Sequence, residues 1–250
     1  MSDDTTLQLK KRFAELAGQA SSGGYYTYTD FLSAADAADA LTAAPIGWAK
    51  AFGGTEACER VIVRYGNPDV FGYDEPFPVR VLKVEPKNAK FADALTHRDF
   101  LGSIMALGIT RDVLGDILLS GTSAYVFAED QMAAYLADNL TAVRHTAVKA
   151  AVCEEVPEEA RPRLESVMLT AAGERLDGVI AHLYRLSRGS AKELFDKGYV
   201  HVNGRECLQA SRVPKENDIV SVRGFGKFVY RGAEGVTRKG NQVIRVDRYL

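Results

Sequence analysis

The stretch GERLDGVIAHLYRLSRGSAKELFDKGYVHVNGRECLQASRVPKENDIVSVRGFGKF, residues 173–228, decides the reading of this 250-residue chain. Leu176, Val179, Ile180 and Leu183 fall at i, i+3, i+4 and i+7, which predicts a short amphipathic helix with Arg175, His182 and Arg185 off its apolar face. Ser187 is placed to cap a second helix, whose buried stripe is Ala191, Leu194 and Phe195 and whose stop is Gly198. Val200 and Val202 alternate with His201, and Asn203-Gly204 suits a type I′ hairpin turn. Ile219, Val220 and Val222 form a further strand before the glycine-punctuated RGFGK. The expected unit is two helices on a small twisted sheet.

Once that core is assigned, the remaining charge has to face outward, because an unpaired buried cation is too costly. From Arg175 to Leu250 there are 15 Lys and Arg against 8 Asp and Glu, a surplus of +7, whereas residues 1–174 carry 16 against 25, or −9. The net charge of −2 hides this asymmetry. A basic C-terminal part suits a polyanion, and an acidic remainder limits indiscriminate sticking. Orphan N–H groups at two helix starts, together with guanidinium forks, would make a phosphate-binding surface.

Four ordered blocks, RLD, SRGSAKEL, KGYVHVNG and DIVSVRGFGKF, resemble the RNA-binding domain named after small-subunit ribosomal protein four, the S-four domain, with its αL motif. The resemblance implies an RNA contact set of Arg175, Arg185, Ser187, Arg188, Lys192, Lys197, His201, Asn203, Arg205, Arg223, Phe225 and Lys227. Phe225 could stack on a base or cover the core, and the sequence leaves both readings open.

At 250 residues the chain can bury one large core or two to three small ones, its composition is ordinary for a globular protein, and its mixture of helix and strand patterns makes α+β the expected class. No stretch has the apolar length of a membrane span, and the acidic, polar start MSDDTTLQLKKR does not read as a signal peptide, so a cytoplasmic protein without a membrane role is expected. Cys58, Cys153 and Cys207 are odd in number and far apart, which suggests reduced thiols rather than disulfides or a metal knuckle.

Along the chain, Leu9, Phe13 and Leu16 suggest a first helix, and Ala34 to Ala44 a second after a cap at Asp30 or Ser33, with a break at Gly23-Gly24. Residues 1–55 are expected to be a helical subdomain, with Tyr25, Tyr26, Tyr28 and Phe31 packing helices rather than stacking on bases. Residues 56–160 read as a middle domain. Val61, Val63 and Tyr65 alternate as its first strand, and Val79 to Val84 as another. A helix in THRDFLGSIMALG follows, then a hairpin about Ser120-Gly121, a helix with Met132, Leu136, Leu140 and Val143 aligned, and a strand through Val148, Ala150 and Val152. This βαββαβ order suggests a ferredoxin-like sandwich, the class of the RNA-recognition motif. The acidic, proline-marked EEVPEEARPR leads into an expected linker at 161–172, where Glu165 to Thr170 could add a strand. Residues 173–250 are the expected basic domain, its Val243, Arg245, Asp247 run pairing as an edge strand.

GGTEACER, THRDFLGSIMALGITRDVLGDI, RLD and SVRGFGKF, in this order, resemble the YlmH family of bacterial ribosome-associated RNA-binding proteins encoded near cell-division genes. That resemblance implies a non-catalytic factor, monomeric off the ribosome. Its implied partners are ribosomal RNA and transfer RNA of the large subunit, with a part in quality control of stalled peptidyl-tRNA complexes and no cofactor, metal or small-molecule substrate.

Two alternatives are weighed beside it. One is an RNA-modifying, pseudouridine-synthase-like enzyme with an unrecognised site in residues 55–155: pseudouridine synthases carry their catalytic aspartate in an RLD tripeptide, but here RLD opens a helix of the basic domain, so Asp177 is expected to brace Arg188 or cap the helix. His97-Arg98-Asp99 likewise reads as a helix cap rather than an acid-base cluster, since adjacent helix residues diverge. The acidic N-terminal half keeps open a cell-division-linked interaction protein.

Overall fold

The computed structural model describes residues 3–55, 58–88 and 93–250, so Glu56 and Ala57 of the GGTEACER block lie outside the described residues. The chain divides into two compact units, Met1–Arg161 and Pro162–Leu250.

The first unit opens with α1 (Asp3–Gly23), β1 (Thr27–Tyr28), α2 (Ala34–Leu41), β2 (Ala49–Phe52) and β3 (Ile62–Tyr65). Ser33 caps α2, its hydroxyl accepting from the Asp36 N–H at 3.2 Å. The N-terminal region is therefore mixed rather than purely helical, because β1, β3 and β2 form a three-stranded antiparallel sheet in that order. Alternation identified β3 as a strand but not its partners, and it belongs with this sheet instead of opening the middle domain. All four of its residues are buried. Val63 and Tyr65 pack with Phe13, Leu16 and Ala20 of α1, while Ile62 packs with Phe31, Val81 and Phe127 on the other side.

A short helix α3 (Pro68–Phe71) leads to β4 (Val79–Pro86), α4 (His97–Met105), β5 (Leu114–Ser120), β6 (Ser123–Glu129), α5 (Asp130–Asn139), β7 (Ala142–Val143) and β8 (Thr146–Cys153). Their sheet runs β5-β6-β4-β8-β7, antiparallel throughout. Ser120 pairs with Ser123, so the hairpin turns at Gly121-Thr122, one residue beyond the expected centre, with Gly121 at φ 58°. Val143 lies in β7 rather than on the helix. Phe100, Ile104, Ala133 and Leu136 of the two helices bury one sheet face against Leu82, Val84, Val126 and Val148.

The opposite face is partly covered by the N-terminal elements. Val81, Tyr125 and Phe127 pack with Phe31 and Ile62, and also with Val156 and Ala160 of the acidic connector, which folds back through a short 3-10 turn at Glu158–Ala160. A Cβ at Gly54, where φ is 110°, would collide with the Phe127 ring. One at Gly115 would come 2.8 Å from both Phe127 and Phe31.

The second unit comprises β9 (Leu164–Ala171), α6 (Leu176–Leu183), α7 (Arg188–Asp196), β10 (Val200–Val202), β11 (Arg205–Glu206), β12 (Ile219–Val222), β13 (Gly226–Val236) and β14 (Gln242–Tyr249). Its sheet has six strands in the order β11-β10-β12-β13-β14-β9. The expected linker at 161–172 is thus largely strand, since β9 pairs with β14 from Leu164↔Tyr249 to Ala171↔Gln242. The tail strand β14 lies inside the sheet between β13 and β9, and not at its edge. Alternation explains both corrections: Val167, Leu169 and Ala171 face the core in register with Val246, Ile244 and the apolar stripes of α6 and α7. Each large apolar side chain so buried contributes about 1.5 to 3 kcal/mol before entropy is set against it. Among the described residues no helix is long and apolar enough to cross a membrane.

Candidate nucleic-acid interface

Asp177 organises the start of the two helices. It is 3% exposed, yet its carboxylate accepts from Arg175 Nε at 3.1 Å and Arg175 Nη2 at 2.9 Å, from the Gly178 N–H at 2.9 Å, and lies 3.5 Å from Arg188 Nε. Burial alone would raise its pKa, but the hydrogen bonds from Arg175 and Gly178 and the charge of Arg188 outweigh it and hold the group below the ordinary carboxylate value. Both guanidiniums stay about half exposed, at 49% and 60% for their side chains. One buried anion therefore positions two solvent-facing cations.

The two helix starts are not equivalent. The Leu176 and Asp177 N–H groups of α6 donate to the Arg212 and Ala210 carbonyls at 2.9 and 3.0 Å, so the loop before β12 already satisfies them. The surface expected from both helix ends is reduced to one. At α7, Ser187 accepts from the Ser190 N–H at 3.0 Å, while Arg188 and Gly189 occupy the first helical positions, whose N–H groups have no partner within a helix. Arg188 and Lys192 stand four residues apart on α7, both exposed, and so share one face.

Other expected contacts are divided between surface and scaffold. The Asn203 amide is engaged inside the fold, donating to Asp218 Oδ1 and accepting from the Ile219 N–H, both at 2.8 Å, in a turn where Asn203 has φ 50°. Ser187 is likewise committed to its cap. Lys197 reaches Glu193 at 3.3 Å, an exposed pair worth little. Arg223 lies 5.3 Å from the Tyr199 ring centre, and Lys227 Nζ 4.4 Å from that of Tyr249. Phe225 is 42% exposed, its ring 5.4 Å from Tyr184, so it covers an aromatic neighbour on one side and faces solvent on the other. Arg205 is exposed on the short strand β11, and His201 is half-buried on β10.

Arg185 follows α6 with φ 55°, and together with His182 and Arg248 it lines a groove of about 530 Å³. No local pattern groups Arg248 with α6, because strand pairing brings the tail there.

In the first unit Asp99 accepts from the Thr96 N–H at 2.8 Å and the Thr96 hydroxyl at 2.7 Å, with Arg144 Nη1 at 3.4 Å, so it caps α4 as expected. Burial and the Arg111 charge both lower the pKa of His97. Of the aromatic cluster, Tyr26 and Phe31 are buried. The sequence reading missed Arg64, also buried, whose guanidinium stands 4.4 Å from the Tyr26 ring centre and 5.0 Å from that of Phe77. It is paired with Asp74 at 2.7 Å, which makes this a structural cation. Among the described residues no group of three or more His, Cys, Asp or Glu is arranged to hold a metal ion.

Comparison with known proteins adds three findings. Residues 73–156 match the family model described as "Putative RNA-binding domain in YlmH". The chain is 31% identical over 169 residues to the ribosome-associated protein quality control protein P2 of Bacillus subtilis (strain 168), covering 64% of this chain. The chain spans the same share, 64%, of that relative's length. The solved structure of the cell division protein ylmH from Streptococcus pneumoniae is 20% identical with a TM-score of 0.49, covering 62% of this chain and 93% of that one.

Proposed function

We propose that this chain is a YlmH-family RNA-binding factor that docks on ribosomal RNA or transfer RNA of the large ribosomal subunit and acts in quality control of stalled peptidyl-tRNA complexes in the bacterial cytoplasm. The observation that carries this reading is the Asp177 carboxylate holding Arg175 and Arg188 at the open start of α7, in the basic part of the chain. Guanidinium forks beside free helix N–H groups suit phosphate oxygens. Helical RNA hides its base edges, so recognition is by shape and backbone. The match at residues 73–156 and the name of the Bacillus subtilis relative support the same direction.

In this reading the second unit is an S-four type domain extended by β9, β13 and β14. The middle sheet, with βαββαβ order and its strands arranged β5-β6-β4-β8, is ferredoxin-like. Part of the face that an RNA-recognition motif leaves open is occupied here by Phe31, Ile62 and Val156, so the middle domain contacts the ribosome by its remaining surfaces. The RLD tripeptide serves binding rather than catalysis, because the buried Asp177 carboxylate is engaged by two arginines and a backbone N–H.

Ultraviolet crosslinking of the tagged full chain in cells, followed by sequencing of the attached RNA, tests this reading. Crosslinks to large-subunit ribosomal RNA or transfer RNA through residues 173–250 are expected. Recovery of the protein with no ribosomal or transfer RNA would remove it.

A further inference from the structure

The groove beside the C-terminal end of α6 combines features that the phosphate surface at Arg188 does not. Its floor is apolar, made of Val167, Leu169 and Leu183, and its rim is charged. On one side stand His182 and Arg185, both exposed. On the other, Arg248 Nη2 is held 2.6 Å from Glu165 Oε2, which pairs a donor with an acceptor on a single wall. A volume of about 530 Å³ lies within the range of ~300–1,000 Å³ usual for small-ligand pockets.

Two further observations mark this place. Arg185 adopts φ 55°, a left-handed conformation that is strained for a non-glycine residue and that glycine would adopt freely. The strained turn projects a cation at the groove mouth. Beside the groove, Tyr184 Oη and Arg248 Nε are buried without a hydrogen-bond partner among the described residues, although such groups are almost always paired. Burial pushes the Tyr184 phenol up to about 12, with Arg248 as the neighbouring charge that opposes the rise.

Resting on the RNA-binding reading above, we propose that this groove takes one unstacked nucleotide of the bound RNA. Its phosphate sits against Arg185 and His182. Its base lies over Val167, Leu169 and Leu183, and its polar edge meets the Glu165–Arg248 pair. A base edge carries both donors and acceptors, and this wall presents one of each, whereas a bare phosphate would be repelled by Glu165. The appended strands β9 and β14 thereby add recognition of an unpaired nucleotide to a surface that otherwise reads backbone.

The test measures binding of the full chain to a blunt RNA duplex and to the same duplex carrying one bulged nucleotide, each of the four bases in turn. For at least one base the wild type should favour the bulged duplex about tenfold, the order of one or two added polar contacts. Arg248→Ala and Arg185→Gly should each bring that ratio close to one. Arg185→Gly should do so without lowering the thermal midpoint, since it relieves the left-handed residue, a result that a purely structural Arg185 would not give. Arg188→Ala should weaken both complexes and leave the ratio in place. Equal wild-type affinity for all duplexes, or a ratio untouched by Arg248→Ala, overturns the nucleotide site while the phosphate surface stands. Failure of the wild type to bind any duplex overturns the RNA reading and this site with it.

Discussion

Asp177 holds Arg188 from across the α6–α7 turn, its Oδ2 3.5 Å from Arg188 Nε, while the same carboxylate takes Arg175 in a two-point grip. The arrangement separates the anion, which is buried, from the cations, which are not. Asp177→Asn keeps the shape and one acceptor but loses the charge that orients both arginines. Because the arginines are solvent-screened, the expected loss is about 1 to 2 kcal/mol of stability. RNA affinity should fall with it. Urea unfolding beside RNA titration checks this, and a variant of unchanged stability and affinity would contradict the clamp.

Protonation should act on the same group. The folded pKa of Asp177 lies below its unfolded value, so its contribution is fully present above the ordinary carboxylate pKa of about 3.9 and is lost as pH falls through the folded value. Asp247, held low by Arg231 against the cost of burial, adds the same sign in the same unit. Wild type should lose stability steeply in this acidic window, and Asp177→Asn should lose less. Parallel pH curves for the two proteins would rule out the linkage.

Pairing of β9 with β14 predicts where the second unit can be cut. A fragment 162–250 keeps Val167 and Leu169 in the core, whereas a fragment 171–250 removes both together with most of a strand. The longer fragment should fold cooperatively. The shorter should be destabilised by several kcal/mol, about 1.5 to 3 for each lost apolar side chain. Far-ultraviolet circular dichroism on heating distinguishes them, and equal midpoints would show that β9 contributes nothing.

The junction of the two sheets in the first unit predicts a different kind of failure. Gly54→Ala would set a methyl into the Phe127 ring at a residue with φ 110°, combining overpacking with backbone strain. A loss of about 2 to 4 kcal/mol is expected in that unit. Chemical denaturation of a fragment 1–161 provides the check, and a loss under about 0.5 kcal/mol, the usual size for a surface change, would show that the ring yields freely.

Local signals in the sequence were strong where neighbours in the chain are also neighbours in space. The i, i+3, i+4, i+7 stripe from Leu176, the Ser187 cap and the Asn203-Gly204 turn all stand where the residues place them. Alternation at Val61–Tyr65 and Val243–Asp247 marked strands, but period two carries no information about which strand lies alongside. That is why β3 changed sheets and β14 moved from edge to interior. The Asp177–Arg188 brace was legible because its partners are only eleven positions apart in the chain, either side of one turn. The groove was not, since Glu165 and Arg248 are 83 residues apart and meet only through sheet register.

Salt dependence separates a phosphate surface from an apolar dock. With about six phosphate contacts, the logarithm of the RNA association constant should fall against that of salt with a slope of about −4 to −5. A flat dependence would place the affinity elsewhere.

The most direct measurement of the central claim is the affinity of the full chain for isolated large ribosomal subunits, wild type against Arg188→Ala, at one fixed salt concentration. Arg188 is exposed at the first turn of α7 and contributes nothing to the apolar core, and Asp177 keeps Arg175 and the Gly178 N–H when Arg188 is removed, so its loss should lower the thermal midpoint only slightly and leave the protein folded. Removing one charge-assisted phosphate contact should weaken subunit binding by about 1.5 to 3 kcal/mol, roughly ten- to a hundredfold. An Arg188→Ala protein that is folded and binds the subunit as tightly as wild type would contradict the account.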